Sequence, residues 1–116
     1  MADCIFCKIA GKEIPAKLVH EDDLCVAFHD IGPKAPVHVL VIPKAHVRDL
    51  ASAQTEHGAL LGHLLLTAAQ IARDLGVEDS GYRVVINCGP DAGQSVDHLH
   101  LHLTGGQAMG WPPWAG

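Results

Sequence analysis

Positive charge is scarce in this chain and nowhere clustered: 8 Lys and Arg stand against 13 Asp and Glu, for a formal net charge of −5. Affinity for a polynucleotide rests largely on grouped Lys and Arg, so the composition argues against polymeric nucleic acid as a partner. A nucleotide-sized phosphate is not excluded, because backbone N–H groups and histidines can hold it without a basic field. Aromatics are also few, 2 Phe, 2 Trp and 1 Tyr among 116 residues, which leaves the interior to aliphatic side chains. The longest apolar-rich stretch, 59–75, is interrupted by His63, Gln70, Arg73 and Asp74 and does not read as a membrane span. Met1-Ala2-Asp3-Cys4 offers neither a basic nor an apolar leader region. A cytoplasmic protein without a membrane partner is therefore expected, and in that setting 4 cysteines favour thiols or metal ligands over disulfides. A Gly-x-x-x-x-Gly-Lys-Ser/Thr phosphate loop, an internal repeat and the βαβ order of a doubly wound fold are all missing.

What is present reads as a single domain over residues 1–116. A short helical turn is expected from Cys7 to Lys12, followed by strands at Leu18–His20 and Leu24–Phe28 joined by the turn-like Glu21-Asp22-Asp23. A Gly/Pro loop, 31–36, leads into a strand at Val37–Ile42 that stops at Pro43. Ser52 is a plausible N-cap for one long helix, because Leu60, Leu61, Leu64, Leu65, Ala68, Ile71, Ala72 and Leu75 recur at helical spacing and Gly76 can end it. Further strands are expected at Tyr82–Cys88 and from about Asp97 to Leu103. The order predicts an α+β fold, an antiparallel sheet of about five strands with the long helix on one face.

The segment His98-Leu99-His100-Leu101-His102 places three of the nine histidines on alternate positions. Alternation is strand periodicity, so the imidazoles share one face, spaced by roughly 6.6 Å along the chain, and Leu99, Leu101 and Leu103 share the other. Taken alone, such a row is a metal site, a proton relay with a nucleophile, or a solvated edge. Cys4-Ile5-Phe6-Cys7 is likewise open: a Cys-x-x-Cys pair serves redox chemistry or a metal, although the strand-to-helix setting of a thioredoxin-type pair is absent. His38 reads equally as a core histidine bonded to backbone, and Asp30 as a strand-end cap. Cys25 and Cys88 read as small apolar packing residues, His20 as a surface or strand-end residue, and His57 and His63 as too far apart on the helix to pair on a metal.

The segment 94–103, Gln-Ser-Val-Asp-His-Leu-His-Leu-His-Leu, resembles the motif of the histidine triad (HIT) family, His-φ-His-φ-His-φ-φ with φ hydrophobic. Ile5-Phe6 with Lys8-Ile9, Glu13-Ile14-Pro15-Ala16-Lys17, 27–31, 38–44, Gly105-Gly106 and Met109-Gly110-Trp111-Pro112-Pro113 are similar, in order, to its zinc-bearing nucleotide-binding branch. The chain departs from the pattern at Thr104, the last φ, and at Gly110, where relatives often carry histidine; Trp114 is an additional aromatic.

The resemblance implies a homodimer whose two sheets join, binding purine nucleoside monophosphates and hydrolysing adenosine 5′-phosphoramidates. By position His100 is the nucleophile, giving a nucleotidyl-histidine intermediate, with His102, His98, His38 and Ser95 completing the catalytic set. Phosphoryl oxygens are expected to meet His102, Asn87, Ser95 and the loop N–H groups of Gly93, Gln94, Ser95 and Val96. Phe28, His29, Asp30 and Ile31 line the nucleoside pocket, and Trp111 reaches the partner's site. Zinc is expected on Cys4, Cys7, His46 and His98, and the chemistry requires no Mg²⁺. The rival readings are a dinucleoside polyphosphate hydrolase and a non-catalytic, zinc-stabilised purine-nucleotide-binding interaction protein.

Overall fold

The computed structural model describes residues 4–114. A short helix α1 (Ile5–Ala10) precedes strands β1 (Leu18–Glu21), β2 (Cys25–His29) and β3 (Val37–Pro43); the long helix α2 (Gly58–Asp74) follows, then β4 (Tyr82–Ile86) and β5 (Leu101–Gly105). The strands form one antiparallel sheet in the order β1-β2-β3-β5-β4, as expected for an α+β fold. β3 is central and β1 and β4 are edges.

Strand alternation divides the core into two layers. On one face of the sheet, Cys25 and Ala27 of β2, Val39 and Val41 of β3 and Leu101 and Leu103 of β5 pack under Leu64, Ala68, Ile71 and Ala72 of α2. On the other face, Val26, Phe28, Leu40 and Ile42 meet Phe6 and Ile9 of α1. His38 lies on the α1 side of β3, and His102 lies there too, because it pairs directly with Leu40.

Several boundaries differ from the sequence expectation. The histidine strand begins at Leu101 instead of Asp97, since the Leu99 N–H donates to the Val47 carbonyl, 2.6 Å away, and not to the β3 ladder. Ser52 does not cap the long helix. It is taken by Asp49, whose Oδ1 accepts the Ser52 N–H at 2.9 Å, and the helix is entered through a 3₁₀ turn at Thr55–His57 in which the His57 ring accepts the Gln54 N–H at 2.8 Å. α1 begins at Ile5, capped by Cys4, whose sulfur accepts the Cys7 N–H. β4 stops at Ile86, short of the expected Cys88, and Gly89 opens the next loop with φ of +86°. The stop at Gly76 is as expected, with φ of +76°. Among the described residues no helix is long and apolar enough to cross a membrane.

Candidate functional site

Backbone carbonyls and amides set the tautomer of each buried imidazole. His100 Nδ1 lies 2.7 Å from the His98 carbonyl, which can only accept; the proton sits on Nδ1 and Nε2 keeps its lone pair. At His38 the order is reversed. The Lys34 N–H donates to His38 Nδ1 at 3.0 Å, so Nε2 carries the proton and donates to His102 Nδ1 at 2.9 Å. His102 must then carry its own proton on Nε2. The site thus presents an unprotonated nitrogen on His100 and an N–H on His102, on rings whose centroids lie 5.0 Å apart.

These assignments are those of neutral rings, and at His38 and His102 the surroundings favour the neutral form. Burial pushes His38 below the usual histidine range against the pull of Asp30, whose Oδ2 is 3.6 Å from Nε2. Burial, reinforced by His100 and His38, takes His102 down to about 4. Phe6 stands edge-on to His100, with centroids 5.1 Å apart, and to His98 at 5.9 Å, closing the α1 side.

His98 belongs to a second constellation. Its Nε2 donates to the Pro43 carbonyl at 2.8 Å, which leaves Nδ1 unprotonated and facing Cys4 Sγ at 3.3 Å and Cys7 Sγ at 3.6 Å. His46 Nδ1 lies 3.3 Å from Cys7 Sγ, and the four ligand atoms fall within 4.8 Å of one another. Tetrahedral zinc with ordinary Zn–S and Zn–N bonds spaces its ligands by about 3.5 Å. The donor set therefore fits zinc, and all four expected ligands are brought together by α1, the loop after β3 and the segment leading into β5.

The other expected residues divide. His29, Asp30 and Ile31 line a cavity of about 850 Å³ with Ile5, Lys17 and Pro33. Phe28 does not line it; the ring is 5% exposed and packs edge-on against Phe6 as part of the core. Gln94 is committed to the loop: its Oε1 accepts the Gly89 N–H, and its Nε2 donates to the Arg48 and Val96 carbonyls. Gly93 takes the left-handed conformation that turns this loop, Val96 packs beside the α1 layer, and Ser95 is exposed. Asn87 lines a separate cavity of about 470 Å³ with Arg83, Pro113 and Trp114. Among the described residues neither Ser95 nor Asn87 hydrogen-bonds a triad histidine. Trp111 is 82% exposed on the C-terminal segment, which Arg83 ties down through the Gly110 carbonyl at 2.9 Å. Cys25 packs in the core as expected, whereas Cys88 is only half-buried.

Sequence reasoning did not find Phe6 as a wall of the triad, nor the backbone groups of Lys34, Pro43 and His98 that fix the rings. Backbone acceptors carry no residue signature. The hydrophobic spacing of Phe6 and Ile9 on α1 was the available clue to the first.

A family model described as HIT domain matches residues 11–109. The chain is 59% identical over 111 residues to an uncharacterized HIT-like protein of Synechococcus elongatus, covering 96% of each. It is 52% identical to a 14 kDa zinc-binding protein of Zea mays, covering 94% of this chain and 86% of the maize protein. A crystal structure of a HIT family hydrolase from Legionella pneumophila superposes with a TM-score of 0.94 at 46% identity, covering 96% of this chain and 99% of the other. The chain belongs to the HIT family.

Proposed function

We propose that residues 1–116 form one HIT domain of the zinc-bearing nucleotide-binding branch, a cytoplasmic hydrolase that cleaves the P–N bond of purine nucleoside 5′-phosphoramidates. The observation that carries this reading is the pair of opposed tautomers, a free Nε2 on His100 beside an Nε2–H on His102. The Legionella relative named as a hydrolase supports it. In the proposed reaction His100 Nε2 attacks the α-phosphorus, and the P–N bonding pair leaves with the amine, which takes up a proton from solvent as it departs. Water then attacks phosphorus, displaces His100 and gives up a proton to solvent, yielding AMP and the free imidazole. His102 Nε2–H meets the charge that builds on the phosphoryl oxygens, His38 holds His102 in the donating tautomer, and Ser95 and the 93–96 loop complete the anion site. Asp30, His29 and Ile31 take the nucleoside in the cavity they line. Zinc on Cys4, Cys7, His46 and His98 would anchor the chain leading into β5; the zinc-binding maize relative supports that assignment. A homodimer joined through the sheets is supported by the free edge of β4 and the exposed Leu66 and Tyr82.

The test is AMP release from adenosine 5′-phosphoramidate by the wild-type chain and by His100→Ala. The variant is expected to fold and bind AMP while losing at least about 10³-fold in turnover. Equal rates in the two would sink the reading; no release by either, with AMP still bound, would favour a nucleotide-binding module without turnover.

A further inference from the structure

At the β1 edge of the sheet, remote in the strand order from β5, two histidines and one cysteine converge on a single aspartate oxygen. His20 of β1 and His63 of α2 each place Nε2 2.7 Å from Asp22 Oδ2. Cys25 Sγ, at the start of β2, lies 3.5 Å from the same atom. Oδ1 is occupied separately, by the N–H groups of Leu24 and Cys25 at 2.8 and 2.9 Å. Oδ2 therefore faces two imidazole donors and a thiol that also has the Thr67 hydroxyl 3.8 Å away, while a carboxylate oxygen offers about two lone-pair positions. Three of these ligand atoms, on His20, Asp22 and Cys25, lie close enough together to share a cation, and His63 Nε2, bonded to the same carboxylate but outside that group, would move in to complete the set.

We propose that His20, Asp22, Cys25 and His63 form a second metal site, for a zinc-class divalent cation, joining the edge of the sheet to α2. The set of two nitrogens, one oxygen and one sulfur suits a tetrahedral borderline-soft ion. The donor atoms of His20, Asp22 and Cys25 already lie within 4.8 Å of one another. Side-chain exposures of 34% for His20 and 36% for His63 give an ion a path from solvent, while Cys25 forms the buried floor. Neighbouring cations do not block it, because Lys12 and Lys44 are both drawn to Glu21, at 3.0 and 3.3 Å. On binding, each neutral imidazole moves its proton from Nε2 to Nδ1, and the thiol proton passes to solvent. Burial pushes that thiol up to about 11 in the metal-free site, so its proton is present at pH 7 to be released.

The site is independent of the proposed catalysis, and its test separates it from the Cys4–Cys7 cluster. Untagged full-length chain, stripped of metal, is dialysed against Zn²⁺ and the metal per chain is measured. Two equivalents are expected in the wild type, one in His20→Ala, and one in Cys4→Ser/Cys7→Ser. Should the Cys4–Cys7 cluster hold no zinc, the wild type shows one equivalent and His20→Ala none, and the proposal stands. In Cys4→Ser/Cys7→Ser loaded with Co²⁺, a sulfur-to-cobalt absorption band is expected and is lost in the added Cys25→Ala. Retention of the wild-type metal content by both His20→Ala and His63→Ala overturns the proposal. So does a folded Cys4→Ser/Cys7→Ser chain that takes up no metal.

Discussion

The two faces of the segment from His98 to Leu103 are held by opposite means. On the α2 side Leu99, Leu101 and Leu103 are at most 1% exposed and fill space against aliphatic neighbours. On the α1 side His98, His100 and His102 are fixed by directed hydrogen bonds to Pro43, to the His98 carbonyl and to His38. One face stores stability as volume, and substitutions there are felt in the fold. The other stores information as proton position, and substitutions there should be felt in chemistry.

Leu103→Ala probes the first face. Burial this complete predicts a loss of about 3 kcal/mol and a fall in Tm of roughly 10 °C or more, measured by thermal melts. The surviving folded protein should retain the proposed turnover; near-normal Tm with lost turnover would erase the contrast between the faces. His38→Ala probes the second. Losing the donor to His102 Nδ1 leaves His102 free to take the other tautomer, and turnover should fall about 10²-fold in kcat with little change in KM. A stability loss as large as that of Leu103→Ala would show that His38 is chiefly a packing residue.

The smallest effect expected is on acid stability. The folded value of about 4 for His102 lies below the 6.5 of an unperturbed ring, so between these values the unfolded chain binds more protons. Its contribution to stability is full above about pH 6.5 and is lost as pH falls through that window towards about 4. His38, also lowered by burial, acts in the same direction. Melts from pH 7 to 4 should show Tm falling by a few degrees more in the wild type than in His102→Gln; parallel curves would mean that His102 does not titrate there.

Patterning made the long helix, the sheet and the two-faced histidine segment legible, because each depends on which residues are apolar and how far apart they stand. The alternation survives even where strand hydrogen bonding does not, since Leu99 still enters the core after its N–H has turned to Val47. What pattern could not supply was competition among nearby partners. Asp49 takes Ser52 before the helix can, and Gln94 spends its amide on three loop groups. Phe28, expected in the wall of the nucleoside pocket, is instead buried against Phe6, a pairing between elements far apart in sequence. The Cys4, Cys7, His46, His98 cluster came from resemblance, whereas His20, Asp22 and His63 meet only because α2 crosses the sheet beside the β1–β2 turn.

Both tryptophans of the chain sit on the C-terminal segment, at 82% and 84% exposure. In the single chain their emission should be that of indole in water, so intrinsic fluorescence is expected to be nearly blind to melting of the interior. The same placement makes the tail a built-in reporter: a blue shift on raising protein concentration or adding nucleotide would register a second surface closing over Trp111 and Trp114, without any label.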